Sequence, residues 1–287
     1  MMQAQAAAAA TPGSLAGLGI VELAPGRLFL LGGSIALDGR ISWVPAEERG
    51  WQPMNAYVLR EGNDALIVDP GIFAHRDIIR RQLDALVLPG ADLSIFLTRA
   101  EPDSAGNIGE VGRRYLVRML YAGGGPNPFD AFDSVEMLDP RSTGNRIQME
   151  RQPAGYQIPI GGARGLEILR PIVRLLATYW AYDSATRTLF TSDSFSHCLQ
   201  QAPDGPRVTT ASPSPWAERS HVRAHMLAKF GWLQHARTQS VVNNLREMRG
   251  TRDIDRIAPG RGLVIEGHAA VNEHLDAFEA VLQELAG

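Results

Sequence analysis

The sequence predicts a mixed α/β fold in which two β-rich halves are each closed by helices. Three observations support this. A chain of 287 residues with 45% hydrophobic content has enough apolar material for a substantial core. Short apolar runs alternate with Gly, Asp and Pro turns along both halves. Segments with helical apolar spacing follow each group of runs, an order typical of a four-layer sandwich with helices outside two sheets.

The first half contains strands bounded by turn residues and one clear helix. Strands are predicted at residues 26–31, 54–60, 65–68 and 93–97. Residues 76–88 repeat apolar side chains at helical spacing, and a second helix is predicted at 109–119.

The second half repeats this order of strands followed by helices. Short strands are predicted around Val135, Ile147 and Ile158, a turn at Gly161-Gly162, and strands at 166–169, 175–182 and 188–191. Residues 212–249 carry few turn signals and are predicted to be mainly helical. A last strand at 255–258 precedes a closing amphipathic helix at 269–285.

No linker divides these halves, so we predict one domain over residues 17–287 with a helical insertion at about 199–249. Residues 1–16 are rich in Ala and lack a basic segment, which predicts a disordered leader and not a signal peptide.

Composition excludes several functional classes. The formal net charge is -3 and the pI about 6.2, which argues against nucleic acid or an anionic membrane as a partner. Cys198 is the only cysteine, so an internal disulfide and a thiolate-rich metal site are excluded. A single cysteine is best suited to a reducing compartment, so a cytoplasmic protein is expected. No apolar run approaches the length needed to span a bilayer.

Four strings resemble the metallo-β-lactamase superfamily, in the family's order. They are MNAYVL followed by ALIVDPG at 54–71, LTRAEPDSAGNI at 97–108, TLFTSDSF at 188–195, and IAPGRG at 257–262. The second resembles the family's metal loop, Thr-His-x-His-x-Asp-His, and a Glu in its second ligand place is typical of the flavodiiron branch. The resemblance runs from about residue 20 to the end. It implies a metallo-β-lactamase-like αββα four-layer sandwich.

Position by position, the resemblance implies that the carboxylate ligands remain and the histidines do not. The retained carboxylates are Glu101, Asp103 and Asp193. The ligand histidines are replaced by Arg99, Ser104, Arg174 and Arg261, of which Arg174 is aligned by little more than its spacing before Tyr182.

The exchange has a direct electrostatic consequence. Three converging carboxylates repel one another unless a cation neutralises them. Guanidinium groups remain protonated and bind carboxylates bidentately, but they offer no lone pair to a metal ion. We therefore expect no diiron centre. The flavodoxin domain found in flavodiiron proteins is not in this sequence, so no flavin is expected either.

Several functions remain open at this point. The chain is a pseudoenzyme, or a metal-independent enzyme that binds a small anionic or carbonyl ligand in the former metal pocket. Alternatively, Glu101, Asp103 and Asp193 hold a single hard cation for hydrolase or oxidoreductase chemistry. A third reading is a regulatory or binding partner subunit with a vestigial pocket. The relatives form head-to-tail dimers, so a homodimer is plausible.

Other residues were weighed for the site. His197 follows the Asp193 strand and is a candidate general base or replacement ligand, with ordinary packing as the alternative. His221 and His225 have the spacing of a helical zinc pair, but no acidic residue lies between them. Asp69 is expected to buttress the metal loop, as the corresponding residue does in the family. The glycines at 123–125 lack the Lys-Ser/Thr of a phosphate loop.

Overall fold

Residues 12–122, 147–175 and 177–286 are described in a computed structural model of the chain. Their contacts divide the chain into two compact units. Unit 1 comprises Met1–Gly33, Ala56–Arg151 and Pro159–Gly165, and unit 2 comprises Ser34–Asn55, Gln152–Ile158 and Leu166–Gly287. The prediction of one domain remains a prediction. None of the described helices is both long and apolar enough to cross a membrane.

The first sheet has seven described strands in the order β1-β2-β3-β4-β5-β6-β7. Their bounds are β1 (Val21–Ala24), β2 (Leu28–Leu37), β3 (Gly50–Glu61), β4 (Asp64–Val68), β5 (Leu93–Leu97), β6 (Val117–Ala122) and β7 (Gln148–Arg151). Strands β4 to β7 pair in parallel. Because parallel strands end at the same edge of a sheet, the segments that follow β4 and β5 begin side by side.

The core of unit 1 forms where helices cover these strands. The helices are α1 (Pro12–Gly17), α2 (Arg76–Leu86), α3 (Pro102–Ala105) and α4 (Ile108–Arg114). In α2, Ile79, Leu83 and Leu86 recur every three or four residues and are buried on one face. They pack with strand residues such as Ile67 and Ile95 in one apolar cluster.

The second sheet also has seven described strands, in the order β12-β14-β13-β11-β10-β9-β8. Their bounds are β8 (Gln157–Gly161), β9 (Arg164–Leu169), β10 (Trp180–Asp183), β11 (Thr188–Ser192), β12 (Val208–Thr209), β13 (Arg256–Pro259) and β14 (Val264–Glu266). Strands β11 and β13 are parallel, with Ser192 beside Pro259. The residues that follow these two strands therefore leave the same edge of the sheet.

Three helices complete the core of unit 2. They are α5 (Arg219–Lys229), α6 (Gln239–Thr251) and α7 (His268–Glu284). In α7, Val271, Leu275, Phe278 and Leu282 follow helical spacing and are buried. They share an apolar cluster with Trp180 of β10 and with residues of the other two helices.

The predicted strands and helices are largely confirmed, with four corrections. Helix α4 ends at Arg114, and residues 117–119 of the predicted helix belong to β6, because Val117 pairs with Leu93 of the parallel strand β5. The strand predicted at 175–182 is regular only from Trp180, and Leu176 lies outside the described residues. The helical stretch at 212–249 breaks into α5, a short 3₁₀ helix at Gly231–His235 and α6.

The fourth correction concerns the predicted leader. Residues of α1 lie before position 17, and the side chain of Leu15 is buried in the core of unit 1. The leader boundary at residue 17 was therefore placed too late. Residues 1–11, Val135 and the glycines at 123–125 lie outside the described residues.

Gly262 is predicted to be irreplaceable in the turn after β13. Its φ is +89°, and an added Cβ would lie 2.9 Å from the carbonyl oxygen of Cys198 and 3.0 Å from that of Ser196. We expect Gly262→Ala to lower the free energy of unfolding by more than about 1 kcal/mol in urea denaturation. Gly250→Ala is the matched control, because an added Cβ meets nothing within 4 Å in helix α6. It should stabilise the protein by about 0.5–1 kcal/mol, and an equal response of the two variants would contradict the prediction.

Candidate functional site

Unit 1 carries the first group of predicted site residues, in the loop that follows β5. Arg99 is buried, and its Nη2 donates to Oδ2 of Asp103 at 2.6 Å. Its Nη1 lies 3.7 Å from Oε2 of Glu101. The side chain of Glu101 is 28% exposed and that of Asp103 13%. The guanidinium of Arg99 thus lies against both carboxylates of this loop.

Ser104 has a local structural role. Its hydroxyl donates to the backbone carbonyl oxygens of Arg99 at 2.7 Å and Glu101 at 3.1 Å. This places the hydroxyl within the first turn of α3, where it ties the loop to the helix. The buried Ser104 side chain therefore stabilises the loop conformation.

Asp69 supports the same loop, as the sequence predicts. It follows β4 with a φ of +52° and is buried. Its carboxylate accepts from the backbone N–H of Thr98 at 2.8 Å and from the Thr98 hydroxyl at 2.5 Å. Burial raises the pKa of Asp69 to about 7, while Thr98 and Arg99 act in the opposite direction.

Unit 2 carries the second group, where β11 and β13 end together. Asp193 is buried, and Nη2 of Arg261 donates to its Oδ1. Lys229 of α5 places Nζ 3.3 Å from the other carboxylate oxygen, Oδ2. The guanidinium carbon of Arg261 also lies 4.5 Å from the ring centre of Trp43, at cation–π distance. Asp193 is therefore held between two cations.

The turn that carries Arg261 is fixed from its backbone. Asn55 Nδ2 donates to the carbonyl oxygens of Pro259 at 2.9 Å and Gly262 at 2.8 Å. The N–H of Gly260 donates to the Ser192 carbonyl at 2.7 Å. These bonds span the turn and fix the direction of the Arg261 side chain toward Asp193.

Arg174 differs from the other two arginines. It lies in the irregular segment between β9 and β10, and its side chain is exposed, whereas Arg99 and Arg261 are buried. Its exposed position does not support the role of a former ligand. Of the aligned positions, this one was fixed least well by the sequence.

His197 lies in the interior of unit 2. It is buried, and its Nε2 shares a hydrogen bond of 2.9 Å with Nδ1 of His274. His274 Nε2 in turn lies 3.2 Å from Oγ of Ser214. Burial lowers the pKa of His197 well below its ordinary value, so the imidazole is neutral at pH 7. This packing supports the structural alternative given for His197.

His221 and His225 lie one turn apart on α5, with ring centres 4.4 Å apart. Glu48 completes the group, since its Oε1 lies 3.1 Å from Nε2 of His225 and 3.5 Å from Nδ1 of His221. The three side chains offer ligand atoms within 4.8 Å of one another. Burial lowers the pKa of His225 to about 4.

Sequence reasoning missed three of these residues. Lys229 had one signal, since it is the only lysine in the chain. His274 lies in the apolar stripe of α7, where a polar residue stands out. Glu48 had none, because it lies 177 positions from His225.

No family model matches the sequence, and no curated protein matches it. Solved structures of flavodiiron proteins do match its fold. The rubredoxin oxygen:oxidoreductase of Desulfovibrio gigas has a TM-score of 0.63 at 12% identity, over 93% of this chain and 60% of its own. The metal-soaked Flv1 flavodiiron core of Synechocystis sp. PCC6803 has a TM-score of 0.67 at 13% identity, over 92% of this chain and 60% of its own.

A third structure has a comparable length. The fragment 1–254 of a putative diflavin flavoprotein A 5 from Nostoc sp. PCC 7120 has a TM-score of 0.64 at 13% identity, over 93% of this chain and 95% of the fragment. The chain spans about 60% of the length of the other two proteins. These similarities confirm the predicted fold class, the metallo-β-lactamase-like α/β fold of a flavodiiron core.

Asp69 is predicted to make stability depend on pH. A carboxyl group whose pKa is raised in the folded state contributes stability fully below its ordinary pKa of 3.8, and this is lost as pH rises through about 7. The unfolding free energy of the wild type should therefore fall between about pH 4 and 7 relative to that of Asp69→Asn, measured in urea. An Asp69→Asn curve that runs parallel to the wild type over this range would contradict the prediction.

Proposed function

We propose that this chain is a flavodiiron-fold protein without a diiron centre, a pseudoenzyme that acts through binding and not through reductase chemistry. The observation that carries the proposal is the pairing of the retained carboxylates. Arg99 lies against Glu101 and Asp103, and Arg261 and Lys229 lie against Asp193. The charge that two metal ions neutralise in a diiron protein is neutralised here by protonated side chains.

The donor set does not fit a diiron centre. Iron in such a site needs imidazole nitrogens as well as carboxylate oxygens, and a guanidinium has no lone pair to give. The hydroxyl of Ser104 is engaged with backbone carbonyls. An incoming cation would also meet Arg99 or Arg261 at close range, since each already lies against a ligand carboxylate. We therefore derive no redox step for this protein.

The alternative of one hard cation held by Glu101, Asp103 and Asp193 has less support. Calcium and magnesium bind carboxylate oxygens that are free to turn toward them. Here the oxygens of Asp103 and Asp193 accept hydrogen bonds from arginines that are almost fully buried, with side-chain exposures of 2% and 1%. A cation would have to displace a buried guanidinium from its partner.

Small-ligand binding beside Asp193 also has limited room. Asp193, Lys229 and His225 line one cavity in unit 2 with a volume of about 10 Å³. A cavity of this size holds about one water molecule. The geometry of unit 2 therefore favours a pseudoenzyme over an enzyme that binds a small anionic or carbonyl ligand there.

Metal analysis tests the proposal directly. The purified chain should hold fewer than two iron or zinc ions, and Asp103→Asn and Asp193→Asn should leave its metal content unchanged. Two tightly bound ions per chain that are lost in either variant would overturn the proposal. Activity that chelators abolish together with Asp193→Asn would favour the hard-cation alternative instead.

Stability measurements test the same pairing independently. Asp193→Asn leaves Arg261 and Lys229 without their shared carboxylate, so the free energy of unfolding should fall by about 3–5 kcal/mol. Asp92→Asn is the matched control. It breaks an ion pair with Arg118, whose side chain is 72% exposed, and should cost less than about 1 kcal/mol.

The opposite result has a clear meaning. Where a carboxylate is kept for catalysis at the expense of stability, its replacement stabilises the protein. A free energy of unfolding that rises in Asp193→Asn would therefore contradict a structural role for this pairing.

A further inference from the structure

We propose that Glu48, His221 and His225 form a binding site in unit 2 for one divalent ion of the zinc class, with a fourth position open to water. None of these residues occupies a ligand place of the flavodiiron pattern. The site therefore goes beyond the proposed function, which concerns Arg99, Arg261 and the carboxylates they face. It also gives this fold a metal-binding group made from other segments of the chain.

The backbone brings these residues together. His221 and His225 lie four positions apart on α5, so both imidazoles project from the same face of the helix. Glu48 comes from the segment before β3 and reaches the same face. Two imidazoles and one carboxylate are a zinc donor set, and they suit a borderline transition metal better than magnesium or calcium.

The distances fit tetrahedral coordination. With metal–ligand bonds of about 2.0–2.1 Å, two ligand atoms of a tetrahedral ion lie about 3.3 Å apart. Oε1 of Glu48 lies 3.1 Å from Nε2 of His225 and 3.5 Å from Nδ1 of His221. All three ligand atoms lie within 4.8 Å of one another, so small movements of the side chains would place one ion within bonding distance of all three.

The tautomer of His221 gives an independent argument. Its Nε2 lies 2.8 Å from the backbone carbonyl oxygen of His197, which accepts only, so Nε2 carries the proton. In the neutral ring Nδ1 then presents a lone pair to the Glu48 carboxylate, and two acceptors repel each other unless a cation lies between them. Such a bond from the second ring nitrogen to a carbonyl is also the usual support of a metal-bound histidine.

Exposure gives the ion a route and a free coordination position. The side chain of His225 is 2% exposed, whereas those of His221 and Glu48 are 16% and 22% exposed. One ligand is thus anchored in the protein and two face outward. Three protein ligands plus water is the arrangement of zinc sites that remain open to exchange.

Two other groups of potential ligands lack these features. His197, Cys198 and His274 are buried, and the two imidazoles already share a hydrogen bond. Asp253, Asp255 and His268 lie at the surface, where Arg187 pairs with both carboxylates. Neither group combines an anchored imidazole, a supported tautomer and an open side.

Zinc binding to the full chain tests the inference. Protein treated with a chelator and then freed of it is titrated with Zn²⁺ against a chromophoric competitor, and separately with Co²⁺ while visible absorption is recorded. We expect one Zn²⁺ per chain and a Co²⁺ spectrum typical of tetrahedral coordination. Loss of an outer-shell partner typically costs ~10–100-fold in affinity, so His221→Ala and Glu48→Gln should each cost at least about 100-fold.

The controls separate this site from the surface group of Asp253, Asp255 and His268 and from the positions that resemble diiron ligands. His268→Ala and Asp103→Asn should leave zinc affinity unchanged. The partly exposed His221 and Glu48 are chosen for substitution because a change at buried His225 would also disturb packing. In addition, Zn²⁺ should raise the melting temperature of the wild type but not that of His221→Ala.

Three results would overturn the inference. They are the absence of stoichiometric Zn²⁺ binding, an affinity that His221→Ala and Glu48→Gln leave unchanged, and an affinity lost in His268→Ala or Asp103→Asn. The proposed function would fail on a different result, namely two bound ions per chain that are lost when Asp103 or Asp193 is replaced. Each idea can therefore fail while the other stands.

Discussion

The pairing of carboxylates with buried guanidinium groups is the constraint on which the rest of the site depends. Removing a carboxylate from water costs several kcal/mol, and only a close opposite charge with good hydrogen bonds offsets this. In unit 2, Arg261 is almost fully buried and meets Asp193 at the common edge of two parallel strands. The strand arrangement alone brings these segments together, so the pair is a consequence of the fold and not of a flexible loop.

Because the site lies at strand ends, local sequence patterns could predict part of it. Local patterns report what lies within one turn of helix or one strand, and the strings that contain Asp69, Asp103 and Asp193 each lie where a strand ends. A residue-by-residue reading of those strings placed arginines and carboxylates at the ligand positions, but it left open whether the arginines face the carboxylates or a ligand pocket. Arg99 and Arg261 pair with carboxylates, whereas Arg174, aligned by spacing alone, is exposed.

Other features depend on contacts that no local pattern encodes. Residues 117–119 continue a helical spacing, yet they form β6 because β5 offers a parallel partner. Lys229 and Glu48 reach their partners from segments far away in sequence. The pair of His221 and His225 was visible as a pattern, but without Glu48 it had no acidic partner. A sequence therefore predicts ligands that lie close together along the chain, such as His221 and His225, more readily than a distant ligand such as Glu48, which completes the site.

The distribution of imidazoles connects the two proposals. A metal site needs neutral nitrogen donors next to an anionic oxygen, and a permanently charged guanidinium serves the opposite purpose. At the positions that resemble diiron ligands this chain combines carboxylates with arginines. On α5 it combines two imidazoles with Glu48. The His221 ring there contacts the rings of Trp216 and His225. Since a divalent ion would gain from the second environment and be repelled by the first, the two proposals share one electrostatic basis: an ion should bind at Glu48, His221 and His225 and not beside Asp193.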